Sequence, residues 1–243
     1  MNNMNMNNDD IVPVPFESFR DVLAEGDTSE RPYKVFVGNN LGYRVNVLQI
    51  PMREFVQMSG VANDPAMDDA QIAQRKLDLP HAQKLAAYIL KGLVYGAIEF
   101  RSDMSQPESP TLNGMRERLG PQPYIALQPL VANIRNCRAA GEGLKVRKMI
   151  TREDKLAAFE VFLSQKHVLW VIDGQHRRKA MELVFEFLDN VLRTHAYPKK
   201  GSLYPAESTA VSPPELAAWQ EVLSVTQSFC KVSLELHLGL NVD

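Results

Sequence analysis

Alternating apolar and polar residues predict strands in several parts of the chain. Residues 44–50 alternate valines with polar residues before Pro51, which predicts a half-buried strand that ends there. Residues 230–240 alternate apolar with polar or small side chains and predict a second strand with one buried side. Residues 168–172 are apolar at every position, so we expect a strand buried on both faces. A short apolar run at 97–100 predicts a further strand.

A spacing of three to four residues between apolar side chains predicts helices. Residues 80–90 show this pattern, and Gly92 stands where such a helix would place its C′ glycine. Residues 152–163 predict another helix, with Thr151 as its N-cap. The clearest case is residues 175–193, whose apolar stripe comprises Ala180, Val184, Phe187, Leu188 and Val191.

A capping box begins the last predicted helix. Ser212-Pro213-Pro214-Glu215 combines an N-cap serine with a glutamate three positions later, and the helix is expected to run to about residue 223. We predict a disordered tail at residues 1–10 and a single domain over residues 11–243, with an excursion from the core at 197–224. The mixture of strand and helix patterns predicts an α/β (α+β) fold.

Composition and charge exclude several classes of protein. With 243 residues, 45% of them hydrophobic, the chain is long enough for one sizeable core. A net charge of −2 gives no overall basic field that would attract nucleic acid, although a local basic patch is compatible with it. There is no signal-peptide pattern and no apolar run long enough to cross a membrane, so we expect a cytoplasmic protein without a membrane partner. Cys137 and Cys230 lie far apart and predict reduced thiols.

The candidate functional feature is the segment Asp173-Gly174-Gln175-His176-Arg177, where the apolar strand turns into the helix. A helix N-terminus offers unpaired N–H groups and a partial positive charge, which both suit an anion. Gly174 lets a ligand approach the backbone because it has no Cβ. His176, Arg177 and Arg178 add donors in the first turn, although cations there are disfavoured by about 0.3–1 kcal/mol each. This departure from local preference predicts a phosphate site.

Helical spacing separates the two arginines. Arg177 aligns with the apolar side of the helix, so we expect it to be held against the protein. Arg178 lies four residues before Glu182, which predicts an i,i+4 ion pair. A purely structural interpretation is also open: Asp173 would cap the helix, Gly174 would form the turn, and both arginines would be solvated.

Other candidate residues are weaker on the sequence alone. Arg75 and Lys76 precede the helix at 80–90 and could contact DNA or phosphate, or form a solvated pair. The basic run Lys145-Val146-Arg147-Lys148 could meet a nucleic-acid backbone, with a solvated loop as the alternative. The other histidines have no metal-type spacing, so no metal site is predicted. Neither a nucleophile elbow nor a Walker loop is present.

Three groups of residues carry a resemblance to a known family. Val171-Ile172 leads into the segment Asp173–Arg177, Pro51-Met52-Arg53-Glu54 follows the first strand, and Arg75-Lys76-Leu77 leads to Ala86-Ala87-Tyr88-Ile89. With these residues the chain resembles the DGQHR-domain family over roughly residues 44–240. The best-known members of that family are the DndB proteins of DNA phosphorothioation systems. The resemblance implies a ParB/sulfiredoxin-like mixed sheet with surrounding helices.

The resemblance implies a DNA-binding accessory or transcriptional regulatory protein of a DNA-modification system. Its partners would be DNA and other proteins of the modification cluster, and a homo-oligomer is compatible with it. The phosphate contacts implied by motif position are Gly174, Gln175, His176 and Arg177. No cofactor is certain, and ATP or CTP with Mg²⁺ is the candidate. The alternative is an NTPase or nuclease with Asp173, His176 and Arg177 as catalytic residues, but no general base besides Asp173 is evident, so we rank binding above catalysis.

The chain departs from the related families in two places. Sulfiredoxins carry a cysteine at the position of Gln175, so sulfinic-acid reduction is not expected here, because there is no thiolate nucleophile. Members of the DGQHR-domain family continue past the strand at 230–240, whereas this sequence ends at Asp243. The resemblance therefore leaves open that the chain is a fragment truncated at its C-terminus.

Overall fold

The computed structural model describes residues 11–13, 30–61, 77–122, 126–135, 137, 143–151 and 156–240. Two predictions fall outside these residues, namely the tail at 1–10 and the candidate contacts Arg75 and Lys76. Within them the chain forms a mixed α/β structure, which confirms the predicted fold class.

The strands of the described part form one nine-stranded sheet. They are β1 (Ile11–Pro13), β2 (Arg31–Asn40), β3 (Tyr43–Pro51), β4 (Ser59–Val61), β5 (Leu130–Ile134), β6 (Lys145–Thr151), β7 (Leu156–Leu163), β8 (Leu169–Asp173) and β9 (Lys231–Leu238). Their order across the sheet is β1-β6-β7-β2-β3-β9-β5-β8-β4. Neighbouring strands are antiparallel, except that β5 is parallel to β9 and β4 is parallel to β8.

The helices of the described part pack against the central strands and against one another. They are α1 (Met52–Met58), α2 (Leu79–Asp103), α3 (Pro110–Leu119), α4 (Gln175–Thr194) and α5 (Pro213–Phe229). α1 lies on β3 and β9, and α5 lies on β3. α2 contacts α3, α4 and α5, so it is the central helix of the layer. No helix in the described residues is both long and apolar enough to span a membrane.

Burial alternates along the central strands and shows which face of the sheet the helices cover. Val35 pairs with Leu48, which pairs with Leu234, and all three side chains are buried. One position away, Phe36 pairs with Val47, and both side chains are exposed. The strands predicted at 44–50 and 230–240 are confirmed. The two valines of the predicted pattern differ: Val45 is buried, whereas 40% of Val47 is exposed, and the main core contains Leu48 and Ile50 of β3.

The predicted strand at 97–100 and the predicted helix end at Gly92 are wrong. A single helix, α2, runs for 25 residues through both places. Its buried residues continue at helical spacing through Leu90, Leu93, Val94 and Ala97. The packing of this stripe against α4 and α5 outweighs the cost of about 1 kcal/mol that a glycine brings to a helix interior.

The predicted helix at 152–163 is also wrong, because its second half is the strand β7. Thr151 is the last residue of β6 and not an N-cap. β7 lies between β6 and β2 and pairs with both, so its backbone groups are satisfied by two neighbouring strands. Local periodicity could not reveal these partners, since one of them is more than 100 residues away in the sequence.

β8 has one buried face, and the prediction of burial on both faces is wrong. Leu169 and Val171 are fully buried, whereas 40% of Ile172 is exposed. The following helix is confirmed over its whole predicted length, and every residue of its predicted stripe is buried. The capping box at Ser212 is confirmed as well, although α5 continues six residues beyond the predicted end to Phe229.

An aromatic cluster connects the segment after α4 with α5. The indole N–H of the fully buried Trp219 donates to the Tyr197 hydroxyl at 2.9 Å, and Tyr204 packs against both rings. Burial raises the pKa of the Tyr197 phenol, so this hydroxyl stays neutral in the physiological range.

Tyr197→Phe is expected to lower the free energy of unfolding by about 1–2 kcal/mol, because the buried indole N–H loses its acceptor. Urea denaturation monitored by tryptophan fluorescence measures the change. Tyr95→Phe is the matched control, because the Tyr95 hydroxyl makes no hydrogen bond to the described residues. Equal midpoints for the two variants would contradict the prediction.

Candidate functional site

The strand-to-helix turn depends on Gly174. This residue is the N-cap of α4 and has a φ of 99° and a ψ of 20°, a conformation that favours glycine. A Cβ at this position would lie 3.0 Å from Leu130 Cδ2 and 3.2 Å from the Nε of Arg177. The neighbouring Gln175 is buried. The structure therefore needs glycine here both for its backbone conformation and for close packing with β5.

Arg177 holds the turn against the chain that enters β5. Its Nη1 donates to the carbonyl oxygens of Gln128 at 2.9 Å and Pro129 at 2.6 Å. Its Nη2 donates to Asp173 Oδ2 at 2.6 Å. The side chain is only 18% exposed, which confirms the expectation that it is held against the protein. Asp173 does not cap the helix; its carboxylate pairs with Arg177, and α4 begins without a side-chain cap.

Two N–H donors of Arg177 remain available for a ligand. A guanidinium has five N–H groups. Three of them are used in the bonds just described, which leaves the Nε–H and one Nη2–H without an acceptor among the described residues. The Nε and Cζ atoms lie 3.2 Å from the position that a Cβ on Gly174 would take, so this part of the guanidinium is next to the uncapped start of α4.

Arg178 links the start of α4 to the last turn of α1 and the first residue of β4. Its Nε donates to Ser59 Oγ at 3.0 Å, and its Nη2 donates to the carbonyl oxygens of Ser59 at 2.9 Å and Val56 at 3.3 Å. Its Nη1 donates to Glu182 at 2.8 Å, which confirms the predicted i,i+4 pair. Four of its five donors are therefore engaged, and Arg178 is much less available to a ligand than Arg177.

His176 connects the starts of two helices. Its Nε2 accepts a hydrogen bond from the backbone N–H of Asp78 at 2.9 Å, across 98 residues of sequence. Asp78 is the N-cap of α2, and its carboxylate accepts from the backbone N–H of His81. The His81 and His176 rings meet edge to face at 5.1 Å. Because Nε2 is the acceptor, a neutral His176 carries its proton on Nδ1, which has no acceptor among the described residues.

The junction formed by Asp173–Arg178 and Asp78 therefore brings together the N-termini of α2 and α4. Their peptide dipoles contribute partial positive charge to this junction, where the Asp78 carboxylate already caps α2 and where donors of His176 and Arg177 have no acceptor among the described residues. Such an arrangement can bind an anion. Sequence reasoning missed Asp78, although an aspartate two residues before Pro80 is a recognisable N-cap signal. It could not have found the carbonyl oxygens that Arg177 and Arg178 bind.

No group of three or more metal-binding side chains occurs in the part of the chain that the structure describes. Of the other histidines, His167 accepts from the backbone N–H of Ser164 through its Nδ1, and His237 lies 3.0 Å from Glu235. Both contacts are local. The junction at the start of α4 is thus the place where described residues of the predicted site converge.

The fold and the junction define a mixed α/β protein with a glycine turn and two converging helix N-termini. The chain matches the DndB family, described as DNA-sulfur modification-associated, over residues 33–201, and it belongs to that family. The matched part includes most of β2 and the whole of α2 and α4, so it contains the junction. No curated protein and no solved structure matches the chain significantly. The likeness to ParB and sulfiredoxin stays a prediction.

Proposed function

We propose that this protein is a DNA-binding accessory or regulatory protein of a DNA sulfur modification system, and that it binds a nucleic-acid or nucleotide phosphate at the start of α4. Membership of the DndB family supports the role in a DNA sulfur modification system. The observation that carries the site is that α4 begins without a side-chain cap while Arg177 keeps two N–H donors beside it. An anion would satisfy both the helix start and the guanidinium.

The proposed phosphate contacts fall into two groups. The backbone N–H groups of Gln175 and His176, the Nδ1–H of His176 and the remaining donors of Arg177 would contact the phosphate directly. Arg178 would act through the helix that it fastens, because most of its donors are engaged. The carboxylates of Asp173 and Asp78 lie at the same junction, where Arg177 holds the first and the backbone N–H of His81 holds the second.

Arg177→Lys is expected to weaken binding of duplex DNA by roughly tenfold, because the planar fork and its free donors are lost while the charge is kept. Fluorescence anisotropy with a labelled duplex measures the affinity between 50 and 200 mM salt, where phosphate contacts make binding fall steeply. Arg193→Lys is the matched control, since it is the same substitution in the exposed last turn of the same helix. Identical affinities for the two variants would exclude the site.

Nucleotide hydrolysis or DNA cleavage at this junction is the alternative function. ATP and CTP with Mg²⁺ are tested as ligands by measuring the melting temperature. A ligand at 100 times its Kd stabilises the folded protein by about 2.7 kcal/mol and therefore raises that temperature. If the protein releases inorganic phosphate or cuts DNA, and His176→Ala abolishes that activity, the protein is an enzyme and our proposal of a binding protein is wrong. Binding without turnover supports our proposal.

A further inference from the structure

An exposed aromatic ring lies in the middle of the sheet face that the helices leave open. Phe36 is 69% exposed although it belongs to the central strand β2, and its partner Val47 on β3 is 40% exposed. Their neighbours Val35 and Leu48 are buried on the helix side, so Phe36 and Val47 both belong to the opposite face. We call this the open face. Phe36 and Val47 are adjacent, so their exposed apolar area is contiguous, and contiguous apolar surface is a candidate binding surface.

Basic side chains surround Phe36 on the open face. Lys34 is two positions before Phe36 on β2. In the strand register it stands opposite Glu160 of β7, which in turn stands opposite Arg147 of β6. Lys145 also lies on this face, 5.2 Å from the Phe162 ring centre. The basic run that the sequence singled out is thus part of β6 and not a loop. Two residues of this run, Lys145 and Arg147, lie on the face of the sheet that contains Phe36.

Two of the carboxylates near Phe36 are held by cations, whereas Glu235 of β9, the strand partner of Val47, contacts His237 at 3.0 Å. Glu160 forms an ion pair with Arg147, and Glu54 pairs with Arg31 at the edge of the same surface. Lys34 and Lys231 are exposed, and neither makes an ion pair within the residues described here. Among these described groups the open face keeps an excess of positive charge, because the two lysines outnumber the one carboxylate of Glu235, although the whole chain has a net charge of −2.

The surface is also concave. A cavity of about 780 Å³ opens on it, and the lining includes Lys34, Phe36, Val47, Gln49, Lys231 and Ser233. Lys231 belongs to β9, two strands from Lys34, and the register places both lysines on the same side of the Phe36–Val47 pair along the strands. Gln49 pairs with Ser233 between them and adds hydrogen-bonding groups. The result is an apolar pair with polar and basic groups along one side and the carboxylate of Glu235 next to Val47.

A second ring lies on the same face. In the strand register Trp170 of β8 stands opposite Asn133, and Asn133 stands opposite His237. All three side chains lie on the side of the sheet away from the helices. The guanidinium of Arg135 covers the Trp170 ring at 4.5 Å. β8 is four strands from β2, which corresponds to roughly 19 Å at the usual spacing between strands. A chain molecule that crossed the sheet could therefore contact both rings.

We propose that the open face binds single-stranded nucleic acid, with a base stacked on Phe36 and phosphates near Lys34 and Lys231. Stacking needs a base whose face is free, and a duplex hides its base faces in the helical stack. The excess positive charge of the two lysines favours a polyanion over an apolar protein partner. The proposal rests on the family's association with DNA modification, but it concerns a surface separate from the start of α4.

The test is the binding of a fluorescein-labelled dT12 oligonucleotide, measured by anisotropy with the whole chain. Phe36→Ala is expected to lower the affinity about tenfold, as loss of one stacked base does. Phe229→Ala is the matched control, because Phe229 is exposed at the end of α5, on the helix layer. The double variant Lys34→Gln/Lys231→Gln is expected to reduce the slope of log affinity against log salt by roughly 1.4, for two single-strand phosphates.

The outcomes separate this proposal from the proposed function. Loss of dT12 binding in Phe36→Ala, with duplex binding unchanged, supports the open face as a single-strand site. No binding of dT12 by the unmodified chain, or equal affinity in Phe36→Ala, overturns it whatever Arg177→Lys does to duplex binding. If Phe36→Ala instead changes the sedimentation coefficient and leaves dT12 binding unaltered, the surface is a protein contact and the proposal is wrong.

Discussion

Gly174→Ala is expected to lower the free energy of unfolding by about 2–4 kcal/mol and to abolish phosphate binding at the junction. A φ of 99° strains any residue with a Cβ, and that Cβ would lie 3.0 Å from Leu130 and close to the guanidinium of Arg177. The turn must shift to relieve the contact, which would move the donors that we assign to the ligand. Chemical denaturation gives the stability, and duplex affinity is then measured under conditions where the variant is folded.

Gly96→Ala is the control for this substitution. Gly96 lies inside α2, and a Cβ there would meet no atom within 4 Å. The same change should stabilise the protein by roughly 0.5–1 kcal/mol, because alanine loses less conformational entropy in a helix. The two alanine variants are therefore expected to have effects of opposite sign. A Gly174→Ala protein as stable as the unmodified chain would show that the turn does not require glycine.

Arg178→Met is expected to lower the free energy of unfolding by about 2–3 kcal/mol, because carbonyl oxygens of Val56 and Ser59 lose a charged donor. Methionine keeps most of the side-chain volume, so the change tests the hydrogen bonds more than the packing. Thermal unfolding followed by circular dichroism measures the effect. The folded fraction should still bind duplex DNA, since we assign Arg178 a positioning role.

Arg193→Met tests whether the loss is specific to the start of α4. Arg193 is exposed in the last turn and makes one long hydrogen bond, of 3.4 Å, to Asn190. Its replacement should change the stability by less than about 0.5 kcal/mol. If Arg178→Met were as mild, the contacts to Val56 and Ser59 would contribute little. If its folded form lost as much duplex affinity as Arg177→Lys, with the same change in salt dependence, Arg178 would be a ligand contact and not only a positioning residue.

The candidate site could be located from the sequence because its signals are local. A glycine between an apolar strand and a helix with a continuous stripe predicts a turn at Gly174, and i,i+4 spacing predicts the pair of Arg178 with Glu182. The different roles of Arg177, which keeps donors for a ligand, and Arg178, which anchors the helix, were not predictable. It depends on the carbonyl oxygens of residues 56, 59, 128 and 129, which come from other parts of the chain.

Errors in the predicted elements have a related origin. β7 carries apolar residues that fit a helix as well as a strand, and its pairing with β6 and β2 decides in favour of the strand. α2 continues through Gly92 because its buried stripe packs on two other helices. In both cases an interaction with distant residues outweighs a local preference of about 1 kcal/mol.

The sequence by itself determined the mixed fold class, the glycine turn, the full helix α4 and the capping box at Ser212, because each depends on residues within a few positions of one another. Only the tertiary structure decided which side of each strand is buried and which donors remain free. It also decided that His176 meets the start of α2. These features depend on contacts between residues far apart in sequence, such as the bond between His176 and Asp78. Local patterns carry no record of such contacts, since packing selects the partners.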